Sequence, residues 1–397
     1  MAYSPRRRQL LKAVGSAGLL VFQPAWAQTL PTGYDNRLIL IELKGGNDGL
    51  NTVVPYADSN YSSLRPRLAL TREQVLPLTE SVGLHEELKP LLELWNNKNL
   101  AIVQGVGYPQ PNLSHFRSIE IWDTASNSTE YLDTGWLGRA FEARPVPQQF
   151  AAAGAVIGSA EMGPLLGGAR TVAIADTERF VQQAHLAAPR QISGNAALTH
   201  VLETENDIVH AATQMTGQYD FKTEFPPSGF GATVKTAMHV LAAGFDTQTQ
   251  RMRSCHVAAM RLTLSGFDTH QNQPGTHANL LRQLSEGMVA LKAALQELNA
   301  WDSTLIMTYA EFGRRPKENM SNGTDHGTVA PHFVTGGRVR GGLYGQPPIL
   351  DRLDGSGNLA YAVDFRSLYS TVLNQWWGIP ATNVLQGNFS PLPFLRS

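Results

Sequence analysis

The sequence has little cysteine and no excess of charge of either sign. Cys255 is the one cysteine among 397 residues, so the chain cannot form an intramolecular disulfide, and it tolerates an oxidising compartment without exploiting it. Lysine and arginine number 32, against 33 aspartates and glutamates. This balance gives no reason to expect nucleic-acid binding, which needs a basic surface.

Long apolar runs, repeats and low-complexity tracts are also missing. The apolar stretch at residues 13–22 is interrupted by Gly15, Ser16 and Gly18, and it is shorter than the roughly 20 apolar residues that a membrane-spanning helix needs. Apolar residues nevertheless make up 42% of the chain. That share is enough for a large globular core.

The N-terminus has the pattern of an export signal. Three arginines at residues 6–8 and a Leu-Leu-Lys sequence at residues 10–12 resemble a twin-arginine signal, and the small-x-small sequence at residues 25–27 resembles a signal-peptidase site. We therefore expect residues 1–27 to be a cleaved leader that the twin-arginine translocase recognises. The mature chain would be periplasmic or secreted, without a stable membrane span and with a formal charge of about −5. An uncleaved membrane anchor is the alternative.

Strand-like and helix-like segments alternate through residues 28–397, which predicts a single α/β domain with right-handed crossovers and a mostly parallel sheet. The predicted strands cover residues 38–44, 100–104, 258–264 and 305–309, and the predicted helices cover 88–95, 280–298 and 364–377. Residues 148–190 are rich in alanine, glycine and proline and are predicted to form a cap or insertion. Residues 323–345 are predicted to form turns and short hairpins.

Asp48 lies in a glycine turn directly after the first predicted strand. Gly45, Gly46 and Gly49 permit backbone angles that other residues avoid. Open α/β sheets bind ligands at the carboxyl ends of their strands. Asp48 is therefore either an Asx-turn residue that caps the loop or part of a functional site.

Ser114 opens a predicted helix after a second strand. It is either the N-cap of that helix or part of an anion site, because free N–H groups and the helix dipole favour phosphate or sulfate there. Arg117 could add a bidentate contact to the anion. His115 is either a proton donor to a leaving group or a residue that packs beside Phe116.

Acids and histidines recur in two further loops. In chain order they are Asp268, His270, His277, Glu311, Asp325 and His326. Aspartate and histidine two residues apart are plausible ligands of zinc or manganese, although the pattern is common by chance. His85, next to Glu86 and Glu87 at the start of a predicted helix, fits a structural role. His332 is either an additional ligand or a residue that contacts a ligand.

These polar groups fall along one predicted edge of one sheet. Carboxylates packed together repel, so a divalent cation is the natural means of holding them. Two cations beside a hydroxyl would suit in-line displacement at phosphorus or sulfur, with Ser114 as the metal-activated nucleophile. The alternative is that every one of these residues is a cap or a turn residue.

Five motifs resemble the domain-of-unknown-function family 1501 of exported bacterial proteins. In chain order they read GGNDGLNTVVP, SHFRS, FDTHQNQ, EFGR and TDHG. That family is grouped with alkaline phosphatases, sulfatases and phosphoglycerate mutases. The resemblance therefore implies an alkaline-phosphatase-like three-layer α/β sandwich, with a mostly parallel central sheet and helices on both faces.

The resemblance also implies roles for the polar residues. Asp48 resembles the first metal aspartate, and Ser114 falls at the nucleophile position. Asp268, paired with His270 or His277, resembles the Asp and His that precede the long helix.

Near the C-terminal end of the motifs, His326 resembles the final histidine ligand. Glu311 falls where the superfamily has an aspartate followed by histidine, and Phe312 takes the place of that histidine. One metal site would then be complete and would comprise Asp268, His270 and His326. A second site, with Asp48, Ser114 and Glu311, would lack an imidazole ligand. A single-metal enzyme, a harder ion such as magnesium or calcium, and an inactive descendant all remain open.

The favoured interpretation is an exported hydrolase that uses one or two divalent ions to cleave a small anionic ester of phosphate or sulfate. Arg117 or Arg314 would neutralise the substrate anion. A formylglycine sulfatase is excluded, because residues 114–118 and the surroundings of Cys255 lack the proline and spacing of that motif. The alternative is a non-catalytic exported binding protein that keeps the fold and one structural metal.

Overall fold

A computed structural model describes residues 33–175, 180, 182, 184, 196–214, 219–252 and 257–396 of the chain. Within the described residues, no helix has both the length and the apolar character that are needed to span a membrane. The expected leader, Cys255 and part of the expected cap lie outside these ranges.

The centre of the fold is a nine-stranded sheet in which the strands run in the order β15-β5-β14-β11-β1-β10-β6-β7, with β16 also paired to β5. The strands are β1 Arg37–Lys44, β5 Leu100–Gly107, β6 Ala152–Ile157, β7 Thr171–Ile174, β10 Val257–Ser265, β11 Thr304–Tyr309, β14 Ala330–Thr335, β15 Gly342–Gly345 and β16 Val363–Asp364. Strand β14 runs antiparallel to β11 and β5, and the other pairs are parallel. The prediction of a mostly parallel sheet is confirmed.

Short strands form smaller sheets beside the central one. They are β2 Val53–Val54, β3 Val75–Pro77, β4 Gly83–His85, β8 Phe245–Asp246, β9 Arg251–Met252, β12 Arg314–Glu318 and β13 Thr324–His326. Strands β12 and β13 form an antiparallel hairpin that directly follows β11 in the chain. This hairpin carries His326 toward the carboxyl end of β11.

Helices cover both faces of the sheet. In the described chain the α-helices are α1 Ser59–Leu64, α2 Leu92–Asn96, α3 His115–Thr124, α4 Trp136–Ala143, α5 Ala196–Gln214, α6 Gly229–Ala242, α7 Gln273–Glu297, α8 Arg366–Thr371 and α9 Ala381–Leu385. Successive residues of a strand point to opposite faces. Ile39 and Ile41 of β1 accordingly pack with α6 and α7, whereas Leu38 and Leu40 pack with the tryptophans of α3, α4 and residues 372–377. The three-layer α/β prediction is confirmed.

Two predicted helices differ from the observed ones in their form. Residues 86–91 form a 3₁₀ helix, and the α-helix begins only at Leu92, because Pro90 cannot donate the backbone bond that an α-helix needs. The C-terminal helix is α-helical over Arg366–Thr371 and continues as a π-helix over Val372–Trp377. The long helix α7 begins seven residues before the predicted start, at Gln273.

Parts of the expected cap and of the expected glycine-rich hairpins belong instead to the central sheet. Residues 152–157 and 171–174 are β6 and β7, at one side of the sheet, and residues 330–335 and 342–345 are β14 and β15. Alanine and glycine, which have low strand propensity, dominate β6 and make up half of β15, so the sequence shows no strand pattern there.

A buried ion pair holds the turn after β1. Asp48 and Arg65 are both fully buried, and Asp48 Oδ2 lies 2.6 Å from Arg65 Nη1. Asp48 Oδ1 accepts a hydrogen bond from the Leu50 N–H at 3.2 Å, which is the Asx cap considered above. Gln273, at the first position of α7, also donates to Asp48. Both oxygens of the Asp48 carboxylate therefore accept hydrogen bonds from other parts of the protein.

We expect the substitution Asp48→Asn to cost about 3–5 kcal/mol of unfolding free energy, because it leaves the buried Arg65 cation without its carboxylate. The matched control is Glu161→Gln, which breaks an ion pair to Lys44 of nearly the same length, 2.7 Å, at the surface. That control should cost less than about 1 kcal/mol. Urea unfolding in chelating buffer measures both, and equal costs would contradict the role given to the buried pair.

The Asp48–Arg65 ion pair also makes the free energy of unfolding depend on pH in the acidic range. Burial alone would raise the pKa of Asp48, but the charge and hydrogen bond of Arg65 lower the pKa below its usual value. The stabilisation is therefore complete above the unfolded-state pKa of about 3.9 and is lost as the pH falls from there toward the lower folded-state pKa. We expect the stability difference between wild type and Asp48→Asn to shrink by about 1.4 kcal/mol per pH unit below about pH 4. A difference that stayed constant down to about pH 2.5 would be inconsistent with this ion pair.

Candidate metal centre

Three loops meet at the carboxyl ends of β1, β10 and β11, as expected for an α/β sheet. They follow the strands at Gly45, Gly266 and Ala310. The backbone of Gly45 has a φ of +117°, and a Cβ there would collide with the backbone of Phe267 and Asp268. Only glycine allows the first two loops to approach this closely.

The Arg314 guanidinium ties these loops together. Its side chain is fully buried, and it donates to Asp268 Oδ1 at 2.6 Å. It also donates to four backbone carbonyl oxygens, those of Gly45, Gly46, Phe267 and Thr324. Arg314 is therefore occupied by the protein itself, in contrast to the expected role of binding the substrate anion.

Asp268 is the centre of a cluster of three imidazoles. The Nε2 atoms of His270 and His326 lie 3.0 and 3.2 Å from Asp268 Oδ1. His115 Nε2 lies 3.4 Å from Asp268 Oδ2. The structure thus brings together three residues that were predicted to share one site. It adds His115, which was predicted to be either a proton donor or a residue that packs beside Phe116.

Each imidazole is anchored through its other ring nitrogen, Nδ1. His326 Nδ1 donates to the Leu113 carbonyl oxygen at 2.7 Å, and His115 Nδ1 donates to Glu311 Oε1 at 2.9 Å. His270 Nδ1 lies 3.4 Å from Asp325 Oδ1. A carbonyl or carboxylate oxygen can only accept, so an Nδ1 that faces one donates. By the same rule, an Nε2 that carries a proton donates to Asp268, whereas an Nε2 that carries a lone pair faces this carboxylate favourably only with a cation between them. Metal-binding histidines are held in this way.

The distance between His270 and His326 tests whether a cation fits here. Their Nε2 atoms are 2.9 Å apart. Two neutral rings that both carry the proton on Nδ1 would face each other there with lone pairs, which repel. A proton or a metal ion between them removes that repulsion. With the Asp268 carboxylate alongside, the donor set suits a divalent ion that accepts nitrogen and oxygen.

Phe312 and Glu311 support the imidazoles from behind. The Phe312 ring packs 4.9 Å from the His115 ring and 4.5 Å from the His326 ring, measured between centroids. Glu311 Oε1 also accepts from the Gly45 N–H at 2.8 Å, while its buried Oε2 has no hydrogen-bond partner. Glu311 therefore contacts a cluster histidine rather than Asp48, with which the resemblance had grouped it.

The surroundings set the protonation of the cluster. Burial would raise the pKa of Asp268, but hydrogen bonds and charge from Arg314 lower the pKa to about 2, so Asp268 is ionised at neutral pH. The hydrogen bond to Glu311 raises the pKa of His115. Burial lowers the pKa of His326, which favours the neutral ring that a metal ion requires.

Four residues considered in the sequence lie apart from the cluster. His277 is buried, with Nε2 3.0 Å from Asn47 Oδ1, and burial lowers its pKa to about 4. Asp48 is held by Arg65, as described above. His85 accepts from the Glu87 N–H at the start of a helix, and His332 is buried against Trp122 without a hydrogen-bond partner.

Ser114 and Arg117 flank the cluster on α3 but differ in their environment. Ser114 is exposed at the N-cap position, with extended backbone angles, and its hydroxyl makes no capping hydrogen bond. It stands between Leu113 and His115, which both contact the cluster. Arg117 instead donates to the carbonyl oxygens of the 127–130 loop and pairs with Glu120 at 2.9 Å. Arg117 is therefore engaged away from the expected anion.

A cleft of about 880 Å³ opens beside the cluster. His115, Asp268 and Glu311 form one end of it, and Lys44 lies in its wall. Its size is within the range of pockets that bind small molecules.

Arg65 is the important residue that the sequence reading missed. It lies in an unremarkable Leu-Arg-Pro-Arg sequence, seventeen residues after Asp48, and no local pattern links the two. His115 was predicted to be a proton donor or a packing residue, whereas in the structure it contacts both Asp268 and Glu311. Its position directly after Ser114 was the available signal, whereas its contact with Glu311 spans 196 residues.

Among solved structures, the chain is similar to the C-terminal periplasmic domain of EcEptC from Escherichia coli, with 11% identity, a TM-score of 0.40 and coverage of 88% of this chain and 83% of that chain. It is also similar to the lipoteichoic acid synthase LtaP from Listeria monocytogenes, with 10% identity, a TM-score of 0.36 and coverage of 88% and 76%. A third similar structure is the alkaline phosphatase from the Antarctic bacterium TAB5, with 12% identity, a TM-score of 0.32 and coverage of 79% of this chain and 95% of that chain. Similarity at this level says nothing about chemistry.

The family comparison is more direct. No curated protein matches the chain. The model of the family described as "Protein of unknown function (DUF1501)" matches residues 99–387, which is most of the chain and includes the SHFRS, FDTHQNQ, EFGR and TDHG motifs. The resemblance that those motifs suggested is confirmed, and the chain belongs to the DUF1501 family.

Proposed function

We propose that the protein is an exported metal-dependent hydrolase of phosphate or sulfate esters. One observation carries the proposal: three imidazoles, each anchored through Nδ1, direct Nε2 at the Asp268 carboxylate beside an open cleft. His115, His270, His326 and Asp268 would hold one divalent ion, with zinc or manganese suited to this donor set.

A bound divalent ion would supply Lewis acidity and lower the pKa of a neighbouring hydroxyl. The protein itself supplies the rest. Glu311 fixes the ring of His115, and Arg314 keeps Asp268 ionised and in place. Ser114 offers an exposed hydroxyl at the N-terminus of α3, where backbone N–H groups favour an anionic substrate.

In the proposed reaction, Ser114 Oγ attacks phosphorus or sulfur and gives its proton to solvent, which in turn supplies the proton for the departing alcohol. The bond from phosphorus or sulfur to the alcohol oxygen breaks, and the alcohol leaves after taking up a proton. Water then cleaves the seryl ester and returns the inorganic anion. Arg117 and Arg314 are occupied within the fold. Lys44 lines the cleft and would exchange its exposed ion pair with Glu161 for one with the substrate anion.

A non-catalytic exported binding protein is the second candidate, and the buried Asp48–Arg65 pair favours it. The carboxylate that the resemblance assigned to a second ion is neutralised by a guanidinium at 2.6 Å. This arrangement supports one ion rather than two. A single ion is sufficient for binding and also for some hydrolases.

We expect the folded mature chain to bind about one equivalent of Zn²⁺ or Mn²⁺, and His326→Ala to lose this binding. Glu311→Gln should weaken metal affinity by roughly 10- to 100-fold, because it loosens the ring of His115 without removing a ligand. Elemental analysis and competition with a chromophoric chelator measure both effects. The control is His210→Ala, an exposed histidine of α5. Absence of stoichiometric metal in the wild type, or equal affinities in wild type and His326→Ala, would rule out the centre.

The substitution Ser114→Ala separates the two candidates. Under the hydrolase proposal it should lower turnover of aryl phosphates or sulfates by at least about a thousand-fold, because it removes the nucleophile, while metal content stays unchanged. Ser265→Ala removes an exposed hydroxyl that lines the cleft and should leave turnover unchanged. Stoichiometric metal without any chelator-sensitive turnover in the wild type would favour the binding protein.

A further inference from the structure

The cleft beside the metal centre has a wall made of apolar side chains. They are Phe116, Ile119, Leu132, Met162 and Leu166. The first two lie one turn apart on α3, directly after His115, and the last two belong to the segment that follows β6. The wall therefore starts at the metal centre and extends away from it.

Two of these side chains are unusually exposed for their type. Phe116 is 87% exposed and Leu166 is 45% exposed. Large apolar side chains gain free energy on burial, roughly 25 cal/mol for each Å² of apolar surface removed from water. Two of them facing one cleft, from separate segments, form a surface that a ligand with apolar atoms would cover.

Two acidic side chains of the same cleft are covered by ion pairs. Glu120 pairs with Arg117 at 2.9 Å, and Glu161 pairs with Lys44 at 2.7 Å. Asp133 also lines the cleft and is exposed. The apolar wall and this carboxylate are therefore the open parts of the cleft, and only the apolar wall gains free energy when a ligand removes it from water.

We propose that this wall binds the alcohol portion of the substrate, and that the substrate is an ester whose alcohol is apolar, either a ring or an alkyl chain. The inference rests on the proposed function, because it places the anionic group at the centre formed by His115 and Asp268. The apolar portion then lies along Phe116 and Leu166. Small polar alcohols would leave the wall exposed to water and bind less well.

Calorimetric titration of the Zn²⁺-loaded mature protein tests the inference with phosphonates, which are not hydrolysed. The three probes are methylphosphonate, 1-naphthylmethylphosphonate and n-octylphosphonate. We expect one or both of the larger probes to bind at least about tenfold more tightly than methylphosphonate, because they bury apolar surface. Tighter binding of the naphthyl probe would identify a ring, and tighter binding of the octyl probe a chain.

Substitutions in the apolar wall test whether it is the source of the preference for the larger probes. Phe116→Ala and Leu166→Ala should each remove much of the preference for the larger probes and leave methylphosphonate affinity unchanged. Tyr361→Ala is the control, since it removes an aromatic side chain that is 42% exposed but does not line the cleft. Unchanged preferences in both wall variants would overturn the assignment of the wall.

The outcomes distinguish this inference from the hydrolase proposal. Equal binding of all three probes overturns the apolar subsite and leaves hydrolysis unaffected. A preference that Phe116→Ala abolishes supports the subsite, even for a protein that does not turn over esters. Failure of all three probes to bind overturns both proposals.

Discussion

The candidate centre depends on one buried guanidinium. Arg314 is placed by the turn after β11, and it donates to the loops after β1 and β10 and to the β12–β13 hairpin. The loops after β1 and β10 are distant from Arg314 in sequence, and its guanidinium is a hydrogen-bond donor that they share with the hairpin. The same cation holds the Asp268 carboxylate at 2.6 Å. One residue therefore assembles the loops and fixes the charge of the group at which the histidines meet.

Arginine divides the carboxylates of this region into two kinds. Asp48 forms an ion pair with Arg65, and both side chains are fully buried, so the arginine neutralises the negative charge of Asp48. Asp268 also meets an arginine, but its side chain is 46% exposed and its second oxygen faces His115. A buried carboxylate that has its own cation stabilises structure, whereas a partly exposed one beside three imidazoles belongs to a donor set of the kind that binds divalent ions.

The residues behind the centre explain a departure from the superfamily pattern. Phe312 occupies the place where the resemblance led us to expect a histidine, and it packs against the rings of His115 and His326. Glu311 accepts the Nδ1 proton of His115. Glu311 and Phe312 therefore contact the cluster histidines at the positions where the resemblance led us to expect an aspartate followed by a histidine.

The sequence by itself determined the α/β class, the strands around β1, β10 and β11, the family, and the residues Asp268, His270 and His326 as members of one site. Apolar periodicity and motifs at strand ends are local signals, and they were sufficient for this. The tertiary structure alone decided the partner of Asp48, the contacts of His115 with Asp268 and Glu311, and the antiparallel insertion of β14. These features depend on contacts between segments far apart in the chain, such as Arg314 with Gly45 or His115 with Glu311, and no local pattern encodes them.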